Sequence, residues 1–133
     1  MRHTVLIADP DVDTSTIAAG LLRSRGLRVR TAVDGVEARD IVSGERHLVV
    51  VVLGLDLPGM NGFELLRLLR GRFGAPRLGN DTRIVAVSRR RELAAEQFAL
   101  RLGADVFLRQ PIPLVQFIRV IEKLVSRATP RAA

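Results

Sequence analysis

The segment Leu48-Val49-Val50-Val51-Val52-Leu53 is apolar at every position and largely β-branched. A strand with one wet face alternates apolar and polar residues. A strand without that alternation needs apolar cover on both faces, as a central strand of a parallel sheet has. Such a sheet requires helices above and below it, and the chain must supply them between strands. The rest of the sequence meets this demand. Val5 to Ala8 reads as a buried strand stopped by Asp9-Pro10-Asp11. Ile17, Leu21 and Leu22 recur at helical spacing, with Gly26 as a C-terminal cap. Leu27 to Ala32 alternates Val29 and Thr31 with Arg28 and Arg30, which suits a strand nearer the sheet edge. Val36 to Val42 reads as a short helix.

After the central strand, Leu57 to Gly62 is a loop feeding a helix around Phe63 to Arg72. Gly71 to Asp81 is rich in Gly and Pro and reads as a surface loop. Arg83 to Val87 is the fourth strand, Glu92 to Leu102 the fourth helix, ended by Gly103, and Val106 to Leu108 the fifth strand. The last helix starts near Pro113, with Leu114, Phe117, Ile118, Ile121, Leu124 and Val125 on one stripe. The expectation is one α/β domain over residues 1–127, a flavodoxin-like (βα)5 doubly wound parallel sheet of order 2-1-3-4-5, with residues 128–133 as a tail or the start of a linker to an output domain. In that order the functional site lies at the carboxyl ends of the first and third strands, at Asp9-Pro10-Asp11 and Gly54-Leu55-Asp56.

Charge and cysteine content exclude several function classes. The chain has no cysteine, hence no disulfide and no thiolate-bound zinc. Its longest apolar run, Leu48 to Leu55, falls far short of the ~20 residues that span a bilayer. No signal peptide precedes the first strand, so a cytoplasmic location and no membrane partner are expected. The net charge is +7. Without Trp or Tyr to interleave with the arginines, stacking on single-stranded nucleic acid is not expected. The dense basic cluster is Arg89-Arg90-Arg91. His3 and His47 are isolated and lack metal-ligand spacing.

Four stretches carry a resemblance. They are Val5-Leu6-Ile7-Ala8-Asp9, Leu57-Pro58-Gly59-Met60-Asn61-Gly62-Phe63-Glu64-Leu65-Leu66, Ile84-Val85-Ala86-Val87-Ser88 and Gly103-Ala104-Asp105-Val106-Phe107-Leu108-Arg109-Gln110-Pro111. In order and spacing the chain resembles the bacterial response-regulator receiver family of two-component phosphorelay signalling, from about Thr4 to Arg127. The resemblance implies a role for each matching position. Asp9 matches the first acid of the metal-binding pair, and Pro10 stands where the second belongs. Gly54 stands where the phosphate-accepting aspartate belongs, Ser88 matches the hydroxyl switch, Gln110 replaces the lysine, and Phe107 fills the aromatic switch position. Gln110-Pro111 is expected to be a cis peptide.

The family reaction needs a carboxylate nucleophile, a Mg²⁺ held by hard oxygens, and a cation at the phosphoryl oxygens. Gly54, Pro10 and Gln110 supply none of these. The losses are consistent with one another. With two carboxylates gone, a lysine would be a charge without a partner, and Gln is a neutral residue of similar reach. The expectation is therefore an atypical pseudo-receiver with no phosphoacceptor, no catalytic residue and no cofactor. It would not be an enzyme and would act by protein–protein binding. The alternative is a residually active receiver that takes phosphate or weakly held Mg²⁺ through Asp9, Asp11 and Asp56. Against it, Asp56 reads as a solvated loop residue and Asp11 as a helix cap. Ser88, Arg89, Arg90, Arg91 and Phe107 make the expected switch and partner face. The resemblance places that face on the fourth helix, fifth strand and fifth helix, where it would bind an acidic signalling protein or a second copy of the chain.

Overall fold

The computed structural model describes residues 3–70 and 82–127. Five strands alternate with five helices: β1 (Thr4–Ala8), α1 (Val12–Arg23), β2 (Arg28–Ala32), α2 (Gly35–Gly44), β3 (Leu48–Gly54), α3 (Gly62–Leu69), β4 (Arg83–Ser88), α4 (Leu93–Leu102), β5 (Val106–Arg109) and α5 (Leu114–Arg127). All neighbours pair in parallel, in the order β2-β1-β3-β4-β5. This is the flavodoxin-like order expected from the sequence.

The pleat explains why the inner strands tolerate no polar alternation. Successive side chains point to opposite faces, and each face has its own core. Val5, Ile7, Val50, Val52, Val85 and Val87 point one way, onto Ala18, Ala19 and Leu22 of α1 and Phe117, Ile118, Ile121 and Leu124 of α5. Leu6, Ala8, Val51, Leu53, Ile84 and Ala86 point the other way, onto α2, Leu65, Leu66 and Leu69 of α3, and Ala99 of α4. Every residue of β1 is buried.

Several boundaries differ from the sequence reading. Asp34, in extended conformation, accepts from the Glu37 amide and starts α2 at Gly35 rather than Val36. α3 ends at Leu69 with Arg70 as its cap, short of Arg72. The expected loop 71–81 and tail 128–133 lie outside the described residues. In α1 the buried stripe is Ser15, Ala18, Ala19 and Leu22, whereas Ile17 and Leu21 are exposed. Small residues let α1 lie close to the sheet, and this stripe carries too little hydrophobic signal to be legible in the sequence. Thr31 is exposed, as are Arg28 and Arg30, and Val29 is buried. His47 is exposed and His3 half-buried. Among the described residues no helix is long and apolar enough to cross a membrane.

Candidate functional site

Parallel strands end together, so the residues just past β1, β3, β4 and β5 converge on one cleft. Asp9, Pro10, Asp11, Gly54, Asp56, Arg89, Arg90 and Gln110 line it, and it encloses about 530 Å³. The site positions expected at the strand ends are thus brought together. The polar groups within the cleft, however, are mostly turned toward one another.

Asp9 follows β1 and folds back on its own loop. Its Oδ1 accepts the Asp11 amide at 2.8 Å, and its Oδ2 accepts from Gln110 Nε2 at 3.3 Å. Gln110 is set at the end of β5 by its amide, which donates to the Ser88 carbonyl at 2.9 Å. The Gln110-Pro111 bond is cis, as expected. Asp11 caps α1. One oxygen accepts the Thr14 amide at 3.2 Å and the other the Thr14 hydroxyl at 2.7 Å. The hydroxyl bond first, and the amide bond after it, hold the Asp11 carboxyl below its ordinary value of 3.8. Pro10 between them carries no donor and is exposed.

Gly54 is the last residue of β3 and is buried. A Cβ added there would lie 3.1 Å from the Ala8 carbonyl oxygen and 3.8 Å from Asp9 Cα. The backbones at the ends of β1 and β3 therefore stand close enough that glycine fits and a larger residue requires a shift. Asp56, two residues on, leans over β4. Its Oδ2 accepts from the Ser88 hydroxyl at 3.4 Å and the Arg89 amide at 3.5 Å, and its Oδ1 lies 3.5 Å from Arg90 Nε. These lengths are at the limit of hydrogen bonding. The fully buried Ser88 hydroxyl also accepts the Arg90 amide at 3.0 Å. Arg89, Arg90 and Arg91 lie ahead of α4, whose N-cap Glu92 makes no side-chain capping bond.

Mg²⁺ takes hard oxygens in octahedral geometry, commonly one or two carboxylates with waters and phosphate oxygens completing the shell. Among the described residues no group of three acidic or histidine side chains converges on one point. Asp9 is occupied by Asp11 and Gln110, Asp11 by Thr14, and Asp56 by Ser88 and Arg90. Each of these carboxylates thus has partners within the protein.

Phe107 of β5 is half-buried against the core beneath α4. Arg109 sits over its ring, 5.2 Å from the centroid, and pairs with Glu96 of α4 at 2.8 Å. The open aromatic surface lies instead on α4. Phe98 is 43 % exposed and contacts Phe63 of α3 at 5.2 Å between centroids, with Arg90 over the Phe63 ring. Sequence reading passed over Phe98. The sequence carries no signal for its exposure, because Ala95, Phe98, Ala99 and Leu102 at i, i+3, i+4 and i+7 read as one buried stripe.

The family model of the response regulator receiver domain matches residues 5–122. The response regulator MprA of Mycobacterium tuberculosis is 30% identical over 133 residues, all of this chain and 55% of the relative. The chain thus spans about half the length of the curated relatives it matches. Solved structures share its fold. A CheY-like receiver domain protein from Methanospirillum hungatei is similar with a TM-score of 0.83 at 21% identity, covering 96% of this chain and 97% of that one. A two-component response regulator from Clostridium difficile is similar with a TM-score of 0.82 at 21% identity, covering 97% and 100%. The match of the family model over nearly the whole described fold, together with the cleft at the strand ends, establishes that the chain belongs to the response regulator receiver domain family.

Proposed function

We propose that this receiver domain signals without aspartyl phosphorylation, through a standing protein–protein contact. The observation that carries the reading is Gly54. The residue at the end of β3 has no side chain, and a Cβ there would press on the Ala8 carbonyl oxygen at 3.1 Å. Phosphoryl transfer to this position lacks its nucleophile. The engagement of Asp9, Asp11 and Asp56 within the protein supports the same reading for the metal, and Gln110 brings no charge to the leaving oxygens. The domain is then a cytoplasmic signalling module rather than an enzyme, with residues 1–127 as the folded unit.

The partner face of this reading is α4, β5 and α5. α4 buries only Ala99 and leaves Leu93, Phe98 and Leu100 exposed. Arg89 to Arg91 lie before its start, and Arg119 and Lys123 are exposed on α5. Apolar residues rimmed by arginine suit an acidic protein surface or a second copy of the chain. Phe107, covered by Arg109, is the aromatic on this face, whereas Phe98 lies on the other side of α4, against Phe63 of α3.

The test is incubation with acetyl phosphate and Mg²⁺ followed by intact-mass and peptide mass spectrometry. The expected result is no hydroxylamine-sensitive adduct. A stoichiometric adduct on Asp9, Asp11 or Asp56 would overturn the reading in favour of a residually active receiver.

A further inference from the structure

A second concavity lies beside the cleft, between α1 and the connection from β5 into α5, and encloses about 530 Å³. That is within the range of small-molecule sites, roughly 300–1,000 Å³. Ile7 and Val87 of the sheet, Ala18 of α1, and Ile112, Leu114 and Phe117 give it apolar walls. Ser15 also lines it. Ser15 is 5 % exposed, and its hydroxyl has no hydrogen-bond partner among the described residues. A buried hydroxyl without a partner is costly, so a group supplied from outside the protein gains by meeting it.

The rim has an unbalanced chemistry. Arg89 and Arg91 border the cavity and are exposed. Asp9 and Asp11 border it as well, but their carboxylates already accept from Asp11, Gln110 and Thr14. Arg91 has no ion-pair partner among the described residues. Asp9 and Asp11 keep their charges, and Arg89 acts on the Asp11 carboxylate, so Arg91 is the cation at the mouth best placed to take an outside acid.

We propose that this cavity binds a small amphipathic acid. The ligand has a carboxylate for Arg89 and Arg91, a rigid apolar body of about two fused rings for the walls, and a hydroxyl or keto oxygen for Ser15. Binding there brackets the ends of α1 and α5 and gives a receiver an input that does not pass through phosphate. The binding claim does not depend on whether the cleft can be phosphorylated, because it is read by titration in the absence of phosphodonor.

The probes are 6-hydroxy-2-naphthoate, 2-naphthoate, which lacks the hydroxyl, and 2-naphthol, which lacks the acid. Binding to the 133-residue chain is followed by fluorescence titration and by amide shifts in ¹⁵N-labelled protein. The expected result is saturable binding of 6-hydroxy-2-naphthoate, with shifts centred on Ser15, Ala18 and residues 112–117. Arg89→Ala with Arg91→Ala should weaken both acids by about tenfold or more and leave 2-naphthol within about twofold. Ser15→Ala should weaken the hydroxy acid about threefold to tenfold and leave 2-naphthoate unchanged. It should also raise the melting temperature of the free protein, because it removes an unpaired hydroxyl. Absence of saturable binding by all three probes at about 1 mM overturns the proposal. So do shifts centred elsewhere, equal loss of both acids in Ser15→Ala, or a lowered melting temperature in that variant.

Discussion

The two ends of the sheet handle polar groups in opposite ways. At the amino ends of β4 and β5, Arg70 reaches from the end of α3 and donates to the Gly103 carbonyl at 2.8 Å, the Thr82 carbonyl at 2.8 Å and Asp105 at 2.5 Å. Asp105 in turn accepts the Ile84 amide at 2.8 Å. Gly103 has φ +121, and a Cβ there would meet Arg70 Cγ at 2.5 Å, so glycine serves both the turn and the passage of the arginine stem. At the carboxyl ends, the corresponding contacts are Ser88–Asp56 at 3.4 Å, Arg90–Asp56 at 3.5 Å and Gln110–Asp9 at 3.3 Å. Short, charge-assisted, multiply shared bonds fix a structure. Long bonds to the exposed Asp56 and the half-buried Asp9 can be exchanged for a partner's. The amino end is a structural knot and the carboxyl end a surface held ready for contact.

The largest expected effect follows from the knot. Arg70→Met removes the arginine donor from two carbonyls and leaves Asp105 with only the Ile84 amide and Arg83. Because Arg70 is only 18 % exposed at its side chain, the cost is about 2–4 kcal/mol. Urea denaturation would show a lowered midpoint at an unchanged slope. A shift below about 0.5 kcal/mol would mean that the two ends do not differ as described.

The next effect comes from the other end. Gly54→Asp forces a Cβ against the Ala8 carbonyl oxygen, for about 1 kcal/mol of overpacking. It should still accept no phosphate, because the second acid and the lysine remain absent, and groups that act as a unit are strongly non-additive. Adding Pro10→Asp and Gln110→Lys is the combination expected to gain labelling by acetyl phosphate. Efficient labelling of the single variant would show that Asp9, Asp11 and Asp56 rearrange to hold Mg²⁺.

The carboxyl end was far more legible in the sequence than the amino end. Strand order and the cleft follow from runs of apolar residues and from turn signals, which are local in the sequence, and the cis Gln110-Pro111 bond was implied by the family resemblance. The pairing of Arg90 with Asp56 was foreseeable because both residues sit beside motifs of fixed spacing. The Arg70 knot was not. Its partners are 12, 33 and 35 residues away, and an arginine at a helix end reads as an ordinary cap or solvated charge. Ser15 was also missed, because a serine one turn into a capped helix has no hydrophobic signal and its burial depends on α5 packing alongside.

Asp11 gives a smaller effect with a sign set by its hydrogen bonds. Its carboxyl lies below the ordinary 3.8 because the Thr14 hydroxyl and amide favour the ionised form. A depressed group contributes stability above its unfolded value and loses it as pH falls through the folded one. The stability difference between wild type and Asp11→Ala should therefore be full at neutral pH and shrink as pH is lowered below about 4. A difference independent of pH across that window would assign the cap's contribution to packing rather than to charge.

The smallest effect sharpens the contrast most. Asp56 and Arg90 are 44 % and 51 % exposed at their side chains and 3.5 Å apart, so their pairing is screened by solvent. A double-mutant cycle with Asp56→Asn and Arg90→Gln should give a coupling of no more than about 0.5 kcal/mol, falling toward zero at high salt. Asn at position 56 keeps an acceptor for the buried Ser88 hydroxyl, so the single variant isolates the charge. A coupling above about 1 kcal/mol that resisted salt would make this pair a lock of the same kind as the Arg70 knot. Arg90 would then be committed within the domain, and an acidic partner would have to find its cations elsewhere, on Arg119 and Lys123 of α5. A small, salt-sensitive coupling leaves Arg90 free to exchange Asp56 for a partner's carboxylate at little cost, which is what a surface held ready for contact requires.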